Sequence, residues 1–157
     1  MTRFSGKIIS TVLVVGSLFF PFSSFTVLAQ KRDQTENLEN RVRVYEATCV
    51  QNLRAINVAQ GAYRSGSPVN VYATTLAELG PQGTGLLESK IASGKKDGYL
   101  YRLIPQSGPN PGEHYVVVAR PIKLLLSGQR SFFTDETGVI RYTSKNRAAT
   151  LNDPAIN

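Results

Sequence analysis

The sequence is poor in the residues that build reactive or cross-linked sites. It has one cysteine, one histidine and no tryptophan among its 157 residues. A single cysteine excludes an internal disulfide and the paired-cysteine sites that hold zinc, and a single histidine excludes histidine-cluster metal sites. Aromatic residues make up only 9% of the chain, which disfavours a binder built on stacked aromatic side chains. We therefore expect no cofactor and no metal ion, and the fold must depend on an apolar core.

Basic residues outnumber acidic ones and give the chain a formal net charge of +7. Such a balance is compatible with a head that binds anions, nucleic acid being the first candidate. The simpler interpretation of so modest a charge is a solvated basic face around an aromatic core. Six cations of the second half are candidate anion-binding residues, namely Lys95, Lys96, Arg102, Arg120, Lys123 and Arg130.

The first 29 residues have the pattern of an export signal. A start with Arg3, Lys7 and no acid precedes an almost wholly apolar run at residues 8–20, and small residues follow. This pattern predicts a signal peptide cleaved between Ala29 and Gln30. The apolar run is short compared with the roughly 20 residues that a membrane-spanning helix needs.

A second interpretation of the same segment extends the apolar run to Leu28, with no charge in between. It would then remain as a signal anchor in the inner membrane, kinked at Pro21. Under both interpretations the rest of the chain is exported, to the periplasm or outside the cell. Contact with the membrane is expected only if the segment stays uncleaved.

Residues 30–66 are predicted to form a polar lead-in and one long helix. Residues 36–65 contain no proline, and Gly61 is their only glycine. Apolar residues recur every three or four positions, which is the period of a helix. The stripe consists of Leu38, Val42, Tyr45, Cys49, Leu53, Ile56, Ala59 and Tyr63. A helix of about 28 residues would be about 42 Å long.

That length exceeds what the core of so small a protein can cover, so part of the helix should project or pack against another chain. We therefore predict helix packing and assembly through Leu38, Val42, Tyr45, Cys49, Leu53 and Ile56, with self-association as one form of it. Cys49 is most simply a buried apolar residue, and a disulfide between two chains is the alternative.

Residues 67–143 are predicted to form a globular head. Thr75 and Glu78 fit a capping box, so a short helix should end at Leu79, and a second one is expected at residues 86–93. The period then changes to two, which predicts an antiparallel sheet of four strands at residues 99–104, 114–120, 131–134 and 139–143. Residues 144–157 are polar and aperiodic and should fray as a flexible tail. The predicted class is α+β, with a long N-terminal amphipathic helix packed on a small antiparallel sheet.

Four segments resemble bacterial type IV pilins and type II secretion pseudopilins. Residues 47–63 (ATCVQNLRAINVAQGAY) resemble the family's first helix, and residues 72–80 (YATTLAELG) resemble the segment after it. Residues 93–99 (SGKKDGY) and 130–141 (RSFFTDETGVIR) are similar to the sheet of the family's head. The resemblance implies a pilin-like fold and a structural or accessory subunit of a type IV pilus or a type II secretion-like apparatus. It also implies other pilin-like or secretion-apparatus subunits as partners.

The start of the chain differs from that family. Family members are cut after a glycine that precedes an apolar helix with a glutamate at its fifth position. Gly6 is the only glycine near the charged start, and Thr11 stands where that glutamate would be. A recognisable prepilin cleavage motif is lacking, so the resemblance implies a pilin-like head and half-helix joined to an ordinary export signal. The calcium loop of major pseudopilins has no counterpart, because residues 121–130 contain no acid.

The sequence offers no set of residues that fits an enzyme. His114 has no second histidine to work with and is interpreted as a solvent-facing residue at a strand entry. Ser93 and Lys96 have the spacing of a serine–lysine acylating pair, but the companion motifs are absent. Asp135 and Glu136 fit a hairpin turn and lack the neighbours that a calcium site needs. We therefore expect a protein that is not an enzyme.

Overall fold

The computed structural model describes residues 22–106 and 112–156, which form an α+β fold: a long helix packed on an antiparallel five-stranded sheet. The predicted α+β class is therefore confirmed. In chain order the elements are α1 (Phe22–Gly66), α2 (Leu76–Leu79), α3 (Ser89–Ala92), β1 (Lys95–Lys96), β2 (Tyr99–Pro105), β3 (Tyr115–Pro121), β4 (Ser131–Asp135) and β5 (Arg141–Thr143).

Helix α1 begins earlier than its apolar stripe predicts. It spans 45 residues, and the polar segment predicted as a lead-in, residues 31–37, is helical throughout. The segment has no proline or glycine and is rich in Lys, Arg, Gln and Glu, which favour helix. Because extending an existing helix is far easier than starting one, the packed C-terminal part can carry this polar part with it. The predicted cleavage point between Ala29 and Gln30 falls inside α1, whereas residues 1–21 lie outside the described residues.

The two short helices of the head are largely as the sequence predicts. Thr75 caps α2, because its hydroxyl oxygen accepts from the Glu78 amide at 3.3 Å. The Glu78 carboxylate accepts from the Thr75 hydroxyl at 2.8 Å and from the Thr74 amide at 3.2 Å, so it reaches back to the start of the helix one residue earlier than in the standard capping box. The second helix, α3, is a single turn and is shorter than predicted, since residues 86–88 stay outside it.

The sheet has the order β1-β2-β3-β4-β5, with every neighbouring pair antiparallel. Its four longer strands match the four predicted ones, and β1 is an additional two-residue strand. Residues paired directly across antiparallel strands share a face. Tyr101, Ala119, Phe132 and Tyr142 form one such row, and it faces α1. We call this the inner face and the opposite one the outer face.

The segment after β5 folds back on the sheet, so the prediction of a fraying tail at residues 144–157 is wrong for the described part. The Ile156 amide donates to the Ile140 carbonyl at 2.8 Å, and Ala149 is buried. Asp153 accepts from the Thr150 amide and pairs with Arg147. These contacts are hydrogen bonds between backbone groups and between polar side chains and their neighbours, and such contacts leave no periodic pattern in a sequence.

Candidate functional site

The apolar stripe of α1 packs mainly against its own head. Cys49, Leu53 and Ile56 are fully buried, and Val42 is buried as well. The other two predicted assembly residues, Leu38 and Tyr45, are half-buried. The head therefore covers the helix from Val42 onward, farther toward the N-terminus than its predicted later half. Residues 30–37 of α1 are exposed all round and polar, so they form a projecting rod.

Glu46 ties this helix to the start of β4. Its carboxylate accepts hydrogen bonds from the backbone amides of Gln129 and Arg130 at 2.8 and 3.0 Å. It also accepts from the Arg130 guanidinium Nε at 2.7 Å, and the Glu46 side chain is only 7% exposed. Glu46 is not part of the apolar stripe, and as a charged residue it would be expected on the solvent side. Its burial is explained by partners more than 80 residues away, which periodicity does not reveal.

Two further side chains of α1 make buried contacts to the head. Gln60 binds one backbone unit twice, because its amide nitrogen donates to the Ala73 carbonyl at 3.0 Å and its oxygen accepts from the Ala73 amide at 2.8 Å. Asn52 donates to the Tyr101 hydroxyl at 2.9 Å. Gln60 is likewise not part of the apolar stripe, yet it is fully buried. These polar contacts position the helix on the sheet.

Cys49 lies in the centre of this interface as a free, fully buried thiol. Burial raises the pKa of the Cys49 thiol well above its usual value, against the opposing effect of a hydrogen bond with Tyr101. A thiolate, the nucleophilic form, is therefore disfavoured at neutral pH. This placement agrees with the buried apolar role and leaves the thiol inaccessible to a second chain.

The structure divides the six predicted anion-binding residues. Lys96 pairs with Glu88 at 2.6 Å, and Arg130 pairs with Glu46 and lies over the Phe132 and Tyr142 rings. The other four are exposed, and three of them share the outer face of the sheet. These three, Lys95, Arg102 and Arg120, are called the outer-face cations.

The outer-face cations surround an exposed leucine. Lys95 and Arg120 are the direct cross-strand partners of Leu100, and Arg102 lies two residues along β2 from it. Arg120 donates to the Asn146 amide oxygen at 3.3 Å. Among the described residues the ion pairs engage Lys96, His114, Arg130 and Arg147, and none engages an outer-face cation or Lys123.

Lys123 belongs to a loop in which four large apolar side chains are exposed. This leucine loop, residues 122–126, contains Ile122, Leu124, Leu125 and Leu126. No role was expected for this loop, although its run of three leucines beside Ser127-Gly128 is a signal of exposed apolar surface. Apolar residues in a turn have no strand or helix in which to be buried.

The residues weighed for catalysis are not assembled into a site. Ser93 donates its hydroxyl to the Lys90 carbonyl at 2.8 Å, and Lys96 is engaged by Glu88. The hollow beside Ser93 is about 260 Å³, and its lining holds no acid or base. Asp135 accepts from the Thr137 amide at 3.0 Å, which is the turn role predicted for it.

His114 is exposed at the entry to β3, in agreement with its interpretation as a solvent-facing residue, and it has an acidic partner. Its Nδ1 lies 2.6 Å from a Glu136 carboxylate oxygen, on two neighbouring turns at the surface. Within residues 22–106 and 112–156 there is no group of three or more His, Cys, Asp or Glu side chains that could hold a metal ion. In the same ranges, no helix combines the length and apolar character needed to cross a membrane.

Comparison with known proteins gives no relative from which a role could be transferred. No protein-family model matches the chain, and no curated protein or solved structure shows significant similarity to it. The functional conclusion therefore depends on the sequence and the structure of this chain.

Proposed function

We propose that this protein is an exported pilin-like structural or accessory subunit of a type IV pilus or a type II secretion-like apparatus, acting by protein–protein contact and not by catalysis. The observation that carries the proposal is the division of α1. Its C-terminal part is embedded in a five-stranded antiparallel head, and residues 30–37 project from that head without cover. The resemblance of residues 47–143 to pilins adds to this support.

The chemistry of the interface also favours a contact role. The polar side chains buried along α1 are satisfied within the chain, and Glu46 and Gln60 hold it rigidly against the head. A helix fixed in this way can transmit a defined orientation from its projecting part to the head. Because Leu38 is half-buried at the point where the projecting part meets the head, we propose it as a first contact for a neighbouring subunit.

The proposal can be tested in the cell that makes the protein. A photo-crosslinking amino acid at Leu38 should yield adducts with subunits of a pilus or secretion apparatus, identified by mass spectrometry. The matched control is the same amino acid at Val58, which is 73% exposed on the part of α1 that the head covers. Equal adduct yields at both positions, or recovery of the protein only as a free chain, would contradict the proposal. N-terminal sequencing of the exported protein would show whether cleavage occurs before Gln30.

The alternative function is an envelope module whose basic head binds nucleic acid. Of its six candidate residues, Lys96 and Arg130 are engaged in ion pairs. The remaining cations lie beside exposed leucines. A phosphate backbone is bound through its charge, and exposed leucines add nothing to that interaction. A salt-sensitive gel shift with DNA that is lost in Arg102→Gln would favour this alternative over the subunit role.

A further inference from the structure

The leucine loop is the most concentrated exposed apolar feature of the described residues. Ile122, Leu124, Leu125 and Leu126 are 37%, 41%, 59% and 47% exposed. Leu100, on the adjoining outer face, is 50% exposed. Single exposed apolar residues are ordinary on a protein surface, but a contiguous group of them marks an interaction site.

The fold holds this loop in place. The Ile122 amide donates to the Gly98 carbonyl at 2.8 Å, and the Ser127 hydroxyl accepts from the Lys123 amide at 3.0 Å. Gly128 lies so close to the Tyr99 ring that any side chain there would overlap the Tyr99 hydroxyl. Leu125 has a φ of 68°, a backbone conformation that residues other than glycine rarely adopt. The backbone of the loop is therefore fixed by defined contacts, and its leucine side chains are exposed.

Positive charge accompanies the exposed leucines. Lys123 lies within the loop, and Arg120 precedes it by two residues. Together with Lys95 and Arg102, Arg120 flanks Leu100, and Lys123 follows Ile122 in the chain. The five ion pairs found among the described residues engage none of these four cations. The surface is therefore both apolar and cationic.

We propose that the leucine loop and the outer-face cations dock the head on the surface of an anionic phospholipid bilayer. Leucine side chains would enter the boundary between headgroups and acyl chains, while lysine and arginine remain at the anionic headgroups. Nucleic acid has no apolar layer in which the leucine side chains could be buried. A second copy would present the same exposed cations, Lys95, Arg102, Arg120 and Lys123, so two such faces repel each other.

The position of the loop in the molecule also supports docking of this face on a membrane. Gln129 and Arg130, which follow the loop, contact Glu46 on α1. From Glu46 the helix runs away from the head toward Phe22, so the loop lies at the end of the head from which the projecting rod leaves. The proposed lipid-binding face and the rod would thus approach the same envelope surface.

The test measures binding of the exported protein, purified after cleavage before Gln30, to vesicles of phosphatidylcholine with and without phosphatidylglycerol. The wild type should bind vesicles with phosphatidylglycerol more tightly, and added salt should weaken the binding. Leu125→Asp should lower the affinity at least about tenfold, because it removes one inserted leucine and adds a like charge. Arg102→Gln should lower it about fivefold. Because aspartate tolerates a positive φ better than leucine, Leu125→Asp should remain folded, which circular dichroism checks.

Val69→Asp is the matched control, since Val69 is 73% exposed in another loop of the head. It should bind like the wild type. The chain contains no tryptophan, so Leu126→Trp and Val69→Trp are single-tryptophan reporters. We expect a blue shift and quenching by brominated lipid for Leu126→Trp alone.

Three results would overturn the proposal. Equal binding of the wild type, Leu125→Asp and Val69→Asp would show that another part of the chain binds the vesicles. Self-association that is lost in Leu125→Asp, without vesicle binding by the wild type, would identify a second copy as the occupant. DNA binding that depends on Arg102 and not on Leu125, again without vesicle binding, would identify nucleic acid.

Discussion

Replacement of Glu46 by alanine should detach the start of β4 from α1. The Glu46 carboxylate is the shared acceptor for three donors: the Gln129 amide, the Arg130 amide and the Arg130 guanidinium. Because the carboxylate is 7% exposed, water cannot take its place without entering the interface. The substitution leaves the three donors in place and removes only their common partner.

The expected decrease in the free energy of unfolding follows from these contacts. A buried donor left without an acceptor costs about 1–3 kcal/mol, and we take about 1 kcal/mol for each amide because the loop can partly open to water. The ion pair adds about 1 kcal/mol at most, since Arg130 is 37% exposed. Glu46→Ala should therefore lower the free energy of unfolding by about 3 kcal/mol. Glu46→Gln keeps one acceptor oxygen and should lower it by about 1.5 kcal/mol.

Urea unfolding followed by circular dichroism measures these changes. Glu39→Ala removes an exposed carboxylate two turns earlier on the same helix and should change the free energy of unfolding by less than about 0.5 kcal/mol. A double-mutant cycle with Arg130→Ala should give a coupling of about 1 kcal/mol. If Glu46→Ala proves no more destabilising than Glu39→Ala, the buried carboxylate does not hold the helix to the head.

Three other predictions follow from the same interface and from the tail. Cys49 should react with thiol reagents only at the rate of unfolding, as measured with and without urea, because the thiol is fully buried. Tyr101→Phe should cost about 1–2 kcal/mol in urea unfolding, since it leaves the Asn52 amide without its acceptor. The Arg147 guanidinium lowers the pKa of Asp153 in the folded protein. The ionised carboxylate therefore stabilises the fold at pH values above about 4, the pKa of aspartate in the unfolded chain. This stabilisation is lost as the pH falls from about 4 toward the lower pKa of the folded state. Asp153→Asn should therefore be less stable than the wild type at neutral pH, and the two unfolding curves should converge in acid.

The fold could be predicted from the sequence wherever side-chain periodicity reflects burial. The steps of three and four along α1 identified Cys49, Leu53 and Ile56 as packed residues, and all three are fully buried. Alternation identified the four longer strands, and the Thr75 capping box identified α2. Each of these signals is local, because a helix or a strand repeats its environment within a few residues.

The remaining features depend on partners that are distant in sequence. Glu46 and Gln60 read as solvent-facing because they are polar, and only the folded chain brings the Gln129 amide and the Ala73 backbone to them. Strand β1 exists through its pairing with β2, since two lysines alone carry no strand signal. Residues 30–37 of α1 lack an apolar stripe, and all eight are exposed.

The polar contacts of α1 also explain how one register of the helix on the sheet is selected. An apolar stripe that repeats every three or four residues would pack nearly as well after a shift of one turn. Such a shift would separate Glu46 from Gln129, Asn52 from Tyr101 and Gln60 from Ala73. Each separation would leave a buried polar group without a partner. The shifted apolar packing is at best equal to the native packing, so it cannot offset that cost. The direction and length of the projecting rod relative to the head are therefore set by these buried polar side chains.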